Sequence, residues 1–216
     1  MAFENRAEAG RLLAHRLDDY RGRHPVVMAI PRGAVPMGKI VADALDGELD
    51  VVLVRKLRAP NNPELAIGSI DETGSVYLDP DTRDLWDEPY LVGEKKTQLE
   101  MLKHRRQQYQ PTGAAIDVAG RIAIVVDDGI ATGSTMIAAL RAVRTRRPAK
   151  LVAATGVASS EALRLIREEA DETVCLETPP VLFAIGYHFR DFAQVSDDDV
   201  VATLREARRP SAAPAS

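Results

Sequence analysis

The stretch Ile122-Ala123-Ile124-Val125-Val126-Asp127-Asp128-Gly129-Ile130-Ala131-Thr132-Gly133-Ser134-Thr135 decides the reading of this chain. An apolar, largely β-branched run predicts a buried strand. Two adjacent carboxylates close it, a loop with Gly129 and Gly133 follows, and a helical pattern runs from Ser134 to Arg146. In open α/β sheets ligands bind outside the carboxyl ends of the strands, where this loop lies. A helix N-terminus presents unpaired N–H groups and a partial positive charge, which suits a phosphate. Glycine lets the backbone approach that anion closely. The carboxylates would repel a phosphate but suit hydroxyls, which donate to them in charge-assisted bonds. A ligand with vicinal hydroxyls a few ångströms from a phosphate is a ribose 5-phosphate. A P-loop needs four residues between its glycines and then a lysine; here only Ile130, Ala131 and Thr132 intervene and Ser134 follows.

Outward from this stretch, short apolar runs predict strands at Val26–Ile30, Asp50–Arg55, Leu151–Thr155 and Glu172–Leu176. Helical patterns fall at 6–20, 34–45, 93–109 and 161–170, with Pro36 in a first turn where it is tolerated. Strands that are apolar throughout and alternate with helices predict an α/β fold. It is a doubly wound, mostly parallel sheet of about five strands. The Pro60-Asn61-Asn62-Pro63 segment predicts a loop over 57–66, and alternation from Ala66 to Leu78 a small β-hairpin insertion turning at Glu72–Gly74.

The chain of 216 residues is 45% hydrophobic and 28% charged, with a formal net charge of −4. This acidic balance excludes a nucleic-acid binder working by bulk charge, whereas a small phosphorylated ligand needs only local donors. Cys175 is the single cysteine, so a reducing, cytoplasmic setting is expected; its strand reads as buried and its thiol as a small core hydrophobe. His15, His24, His104 and His188 are too dispersed in sequence for a zinc site. No run approaches the ~20 apolar residues that span a bilayer, and the charged N-terminus lacks a signal-peptide pattern, so no membrane association is expected. Residues 208–216 read as a disordered tail behind a single domain of residues 1–207.

Val125 to Thr135 resembles the signature of type I phosphoribosyltransferases, which bind 5-phosphoribosyl-1-pyrophosphate (PRPP). The likeness in element order runs from about residue 24 to 176. The whole chain resembles a bacterial phosphoribosyltransferase-like group of unassigned acceptor. The resemblance implies transfer of a 5-phosphoribosyl group from PRPP, with Mg²⁺ bridging substrate oxygens, to a nitrogen acceptor such as a nucleobase, with release of pyrophosphate. A regulator that binds PRPP or a nucleotide without turnover is the alternative. It further implies a homodimer, a hood built from about 1–22 and 178–207, and PRPP contacts at Asp127, Asp128, Gly129, Ala131, Thr132, Gly133, Ser134 and Thr135.

Pro31-Arg32-Gly33-Ala34 takes the place of the family's pyrophosphate loop, often carrying a cis peptide. Arg55 or Lys56 takes that of a pyrophosphate-binding cation, with Lys56 preferred because it lies nearer the loop, or the two form a solvated pair at a strand end. Residues 57–66 take the place of a flexible loop that closes over the reacting centre. Glu64, its single carboxylate, either protonates or orients a base nitrogen or is merely solvated. Lys95, Lys96, Lys103, Arg105 and Arg106 lend charge to a neighbouring subunit or form a solvated helix face. Phe183, Tyr187 and Phe189, with His188, stack on a planar acceptor or pack the hood. Two departures argue against a 6-oxopurine acceptor. Ala131 replaces the acid that faces the purine in hypoxanthine-guanine-type members, and Gly156-Val157-Ala158-Ser159 lacks their lysine.

Overall fold

A computed structural model describes residues 3–109 and 115–208. In chain order it contains α1 (Arg6–Arg16), β1 (Val26–Ala29), α2 (Val35–Ala44), β2 (Glu48–Val51), β3 (Val54–Ala59), β4 (Asn62–Asp71), β5 (Val76–Leu78) and α3 (Glu88–Tyr109). Then follow β6 (Ile122–Ile130), α4 (Ser134–Thr145), β7 (Lys150–Ala158), α5 (Ser160–Ile166), β8 (Glu172–Glu177) and α6 (Asp197–Ala207). The tail from residue 209 lies outside the described residues.

Five strands form one parallel sheet in the order β2-β1-β6-β7-β8. Side chains alternate faces along a strand, and both faces are covered. Val27 and Ala29 of β1 and Ile124 and Val126 of β6 face a cluster shared with α1, α2 and α6. Val26, Met28, Ala123 and Val125 face Met136, Leu140 and Val143 of α4 and Leu163 and Ile166 of α5. Burial on two faces is why these strands read as continuous apolar runs. Strand β6 is longer than the apolar run predicts. Its ladder with β7 continues through Asp127↔Thr155 and Gly129↔Val157 to Ile130↔Ala158, so the carboxylate pair is still strand. Cys175 is only half-buried, on the edge strand β8, with its thiol pushed up in pKa mainly by burial.

Two sequence expectations need correction. The predicted strand Asp50–Arg55 is two strands in different sheets, because β2 ends at Val51 and β3 begins at Val54. Residues 57–66 are not an open loop. β3, β4 and β5 form an antiparallel three-stranded sheet, and Pro60-Asn61 is the tight link between β3 and β4, with Asn61 in the left-handed region at φ 62°. Leu57 and Ala59 are buried while Lys56 and Arg58 are exposed, the period-two pattern of a half-buried strand.

Helix α3 is fixed by Arg106, which is also corrected: it is not part of a solvated face. Its guanidinium pairs with Glu72 in the β4–β5 turn, donates to Asp50 Oδ1 at 3.1 Å and donates to the carbonyl of Val51 at 3.1 Å. Asp50 is 1% exposed and accepts a further bond from the Ile116 amide at 2.8 Å. A buried carboxylate needs such partners.

Segments from opposite ends of the fold meet. The Phe3 amide donates to the His188 carbonyl and the Arg190 amide to the Phe3 carbonyl, at 2.6 and 2.8 Å. The Phe189 ring lies 5.2 Å from Phe3 and 4.9 Å from Phe192. Helix α6, begun by a capping box between Ser196 and Asp199, packs on α2 and α3.

Candidate active site

The carboxyl ends of β1 and β6 come together. The Ile30 amide donates to the Val126 carbonyl at 2.9 Å, which brings the loop 31–34 beside the carboxylate pair. The Pro31–Arg32 peptide is cis. Gly33 sits so close to Asp128 that an added Cβ would stand 2.2 Å from Oδ2. Ala34 is fully buried and leads into α2, so it offers backbone only.

Loop 130–135 wraps the start of α4. Gly133, at φ 83°, takes the N-cap position without a side-chain cap, and this left-handed turn is one glycine adopts at no steric cost. The α4 amides at the end of the loop are therefore free of a capping side chain. Thr132 Oγ1 and Ser134 Oγ lie 3.1 Å apart, and Ser159 Oγ donates to the Ala131 carbonyl at 2.7 Å. Ser159 also caps α5 through the Ala162 amide, so the loop after β7 ties down the phosphate-type loop and brings no cation to it.

The two carboxylates are not equivalent. Asp127 Oδ1 accepts from the Asp128 amide at 2.9 Å. Burial, reinforced by the charge of Asp128, pushes Asp127 well above the usual carboxylate range, against the opposing effects of that amide and of Arg6. Asp128 follows Val126 on the α1 face, where Arg6 Nε donates to its Oδ2 at 2.7 Å.

A cavity of about 210 Å³ opens between the β1 loop and α3, lined by Pro31, Arg55, Arg105 and Thr135 among others. Burial holds Arg55 below the usual arginine range, and the charges of Arg58 and Arg105 add to this. Guanidinium groups crowded in this way are a site for a polyanion. Lys56 is directed elsewhere: it lines a separate cavity of about 230 Å³ with Ser134, Tyr77 and Arg141. Adjacent strand residues face opposite ways, so the cation beside Pro31 is Arg55 and not the preferred Lys56. Asp197, in the first turn of α6, joins the cluster. Its carboxylate lies 3.7 Å from both Arg32 and Arg105 and accepts from Tyr109 Oη at 2.6 Å. Burial and this bond push the Tyr109 phenol up to about 12.

Of the hood aromatics, Phe183 and Tyr187 are 83% and 78% exposed. For Phe189 the packing alternative holds: it is 5% exposed and its ring lies between those of Phe3 and Phe192. Ile185 is the hood residue that reaches the loop, lying against Gly129. Glu64 falls in β4, and its side chain lies outside the described atoms. Arg6, Asp197 and Ile185 act across long sequence separations and no local pattern marks them, whereas Arg105 lies in the basic stretch of α3.

The chain is an open parallel α/β sheet with an uncapped helix N-terminus and a carboxylate pair at its carboxyl edge, the edge at which such sheets bind their ligands. The phosphoribosyl transferase domain profile matches residues 3–191, and the chain belongs to that family. Proteins of two Mycobacterium tuberculosis strains, CDC 1551 / Oshkosh and ATCC 25618 / H37Rv, both provisionally named phosphoribosyl transferases, are 41% identical over 209 residues. The match covers 96% of this chain but 47% of theirs, so the chain spans about half the length of these relatives. The crystal structure of TT1426 from Thermus thermophilus is 40% identical and superposes with a TM-score of 0.87, covering 95% of this chain and 99% of that one. Among the described residues, no helix is long and apolar enough to cross a membrane.

Proposed function

We propose that this chain transfers the 5-phosphoribosyl group of PRPP to a nitrogen acceptor. The C1–O bond to pyrophosphate breaks as the C1–N bond forms. The observation that carries this reading is the junction of three parts at the ends of β1 and β6: the free α4 N-terminus, the carboxylate pair and the arginine-lined cavity. In this reading the amides and hydroxyls of Ala131, Thr132, Gly133, Ser134 and Thr135, with Gly129, hold the 5-phosphate. Carboxylate at 127 and 128 accepts from the ribose hydroxyls and favours the positive charge that develops on the ring. Arg32, Arg55 and the amides of Gly33 and Ala34 face pyrophosphate, whose charge a guanidinium fork suits.

Among the described residues no group of three or more His, Cys, Asp or Glu converges as a metal cage. Asp127 and Asp128 are the residues beside which Mg²⁺ would be held, and it would supply charge to stabilise the leaving pyrophosphate. The exposed Phe183 and Tyr187 supply flat surfaces for the acceptor. With Ala131 and Ser159 bringing no charge to that side, the acceptor is one that needs no acid or lysine there. A homodimer in the cytoplasm is the working arrangement.

Calorimetric titration with PRPP and Mg²⁺, followed by pyrophosphate release across a panel of nucleobases and amines, tests the reading. Micromolar PRPP binding with turnover on one acceptor supports it, and no binding of PRPP overturns it. Binding without turnover on any acceptor makes the chain a PRPP-sensing protein.

A further inference from the structure

Arg6 opens α1, far in sequence from β6, yet its guanidinium is held on three sides. Nε donates to Asp128 Oδ2 at 2.7 Å, Nη1 donates to the Ala193 carbonyl at 2.7 Å, and the plane lies 3.7 Å over the Phe192 ring. The Arg6 and Asp128 side chains are 13% and 14% exposed. A solvated arginine that merely balanced charge would not have its fork fixed by a carboxylate, a carbonyl and an aromatic face at once. The pair also fills the gap beside loop 31–34. A Cβ on Gly33 would meet Asp128 Oδ2 at 2.2 Å and Arg6 Nη2 at 3.2 Å, and one on Gly156 would meet the Asp128 carbonyl oxygen at 2.9 Å. Asp128 is thus boxed in on the α1 face, while the Asp127 carboxylate accepts from the Asp128 amide.

We propose that Arg6 is a positioning residue of the donor site: it pins Asp128 against the loop after β1 and leaves Asp127 the freer of the two carboxylates to accept from the ribose hydroxyls. This rests on the donor reading above. The charges that bear on Asp127 are Asp128, beside it on β6, and Arg6 on α1. With Arg6 gone, the repulsion from Asp128 is unopposed, Asp127 holds its proton to higher pH, and a protonated acid is a poorer acceptor for hydroxyls.

The test is calorimetry with PRPP and Mg²⁺ from about pH 5.5 to about pH 8.5, on wild type, Arg6→Gln, Arg6→Lys, Asp127→Asn, Asp128→Asn and the Arg6→Gln/Asp128→Asn double variant, with the Asp127 titration followed by carboxyl-carbon NMR. Arg6→Gln is expected to bind PRPP about tenfold more weakly near neutral pH, with its acid limb moved to higher pH. Arg6→Lys keeps most of the affinity. Adding Asp128→Asn to Arg6→Gln moves the limb back down, and Asp128→Asn alone costs less than Asp127→Asn. A side chain that only supported the fold would lower stability without moving the acid limb. An unmoved limb and Asp127 titration in Arg6→Gln overturn the proposal. So does an Asp128→Asn loss as large as that of Asp127→Asn, a comparison that stands even if Arg6→Gln fails to fold. Wild type that binds no PRPP at any pH overturns the donor reading instead, while the NMR titration still decides the role of Arg6.

Discussion

Ile185 lies so close over Gly129 that a Cβ at residue 129 would fall 2.2 Å from Ile185 Cγ2. The Ile185–His188 turn and the end of β6 are thereby in van der Waals contact. Gly129→Ala should destabilise the fold by about 1–3 kcal/mol through overpacking. Pairing it with Ile185→Ala should recover part of that loss in urea denaturation. Additive losses in the double variant would show that the two residues do not collide.

Gly33→Ala puts a methyl group into the Asp128 carboxylate, which Arg6 prevents from swinging away. A displacement of this kind at a reacting centre costs about a hundredfold in kcat/KM. Steady-state pyrophosphate release should show it, with circular dichroism confirming that the sheet persists.

Arg55 and Lys56 are neighbours in sequence but line different cavities. Arg55→Gln should weaken PRPP binding about tenfold or more, the value of one charge-assisted hydrogen bond. Lys56→Gln should leave it within about threefold, because its charge lies outside the cavity beside Pro31. Equal losses on titration would rule out this division.

Asp127 is pushed well above its ordinary value of 3.8, first by burial and then by Asp128. Between the ordinary and the raised value the native state keeps a proton that the unfolded chain has released. Stability therefore falls as pH rises through that window. Asp127→Asn cannot ionise, so it should exceed wild type in stability above the window and differ little below it. Denaturant midpoints at acid and neutral pH measure the contrast, and a constant offset at all pH values would contradict it.

Arg106→Ala leaves Asp50 buried with its nearest guanidinium removed. The expected loss is about 3 kcal/mol, the lower end for breaking a buried pair, because the Ile116 amide still donates to Asp50. A loss below about 1 kcal/mol in guanidinium unfolding would place Arg106 among ordinary surface charges.

Local structure is the most legible in the sequence. The β6–loop–α4 unit can be read because burial on both faces leaves an unbroken apolar run and because glycine, hydroxyls and acids mark the turn by their own chemistry. The end of β6 is hidden, since the hydrophobic run stops at Asp127 while the ladder with Thr155 and Val157 does not. The β3–β4 hairpin reads as a loop from sequence. Pro60-Asn61 carries the turn signal, but the alternation of Leu57 and Ala59 with Lys56 and Arg58 is short, and arginine and lysine obscure it. Phe189 and Phe183 are the same residue type a few positions apart, and only the ring contacts from Phe3 and Phe192 separate a packing ring from an exposed one. Arg6 and Asp197 leave no local trace, because their partners lie far away along the chain.

That last arrangement has a consequence for synthesis. Arg6 belongs to α1 and Asp197 to α6, and each contacts the edge formed by β1 and β6. A ribosome-bound chain released only as far as β8 would already hold the signature loop, yet Arg32, Arg105 and Tyr109 would lack their shared carboxylate. The arginine cluster is completed by α6, so on the proposed reading a chain ending before that helix would carry the signature loop without a finished donor site.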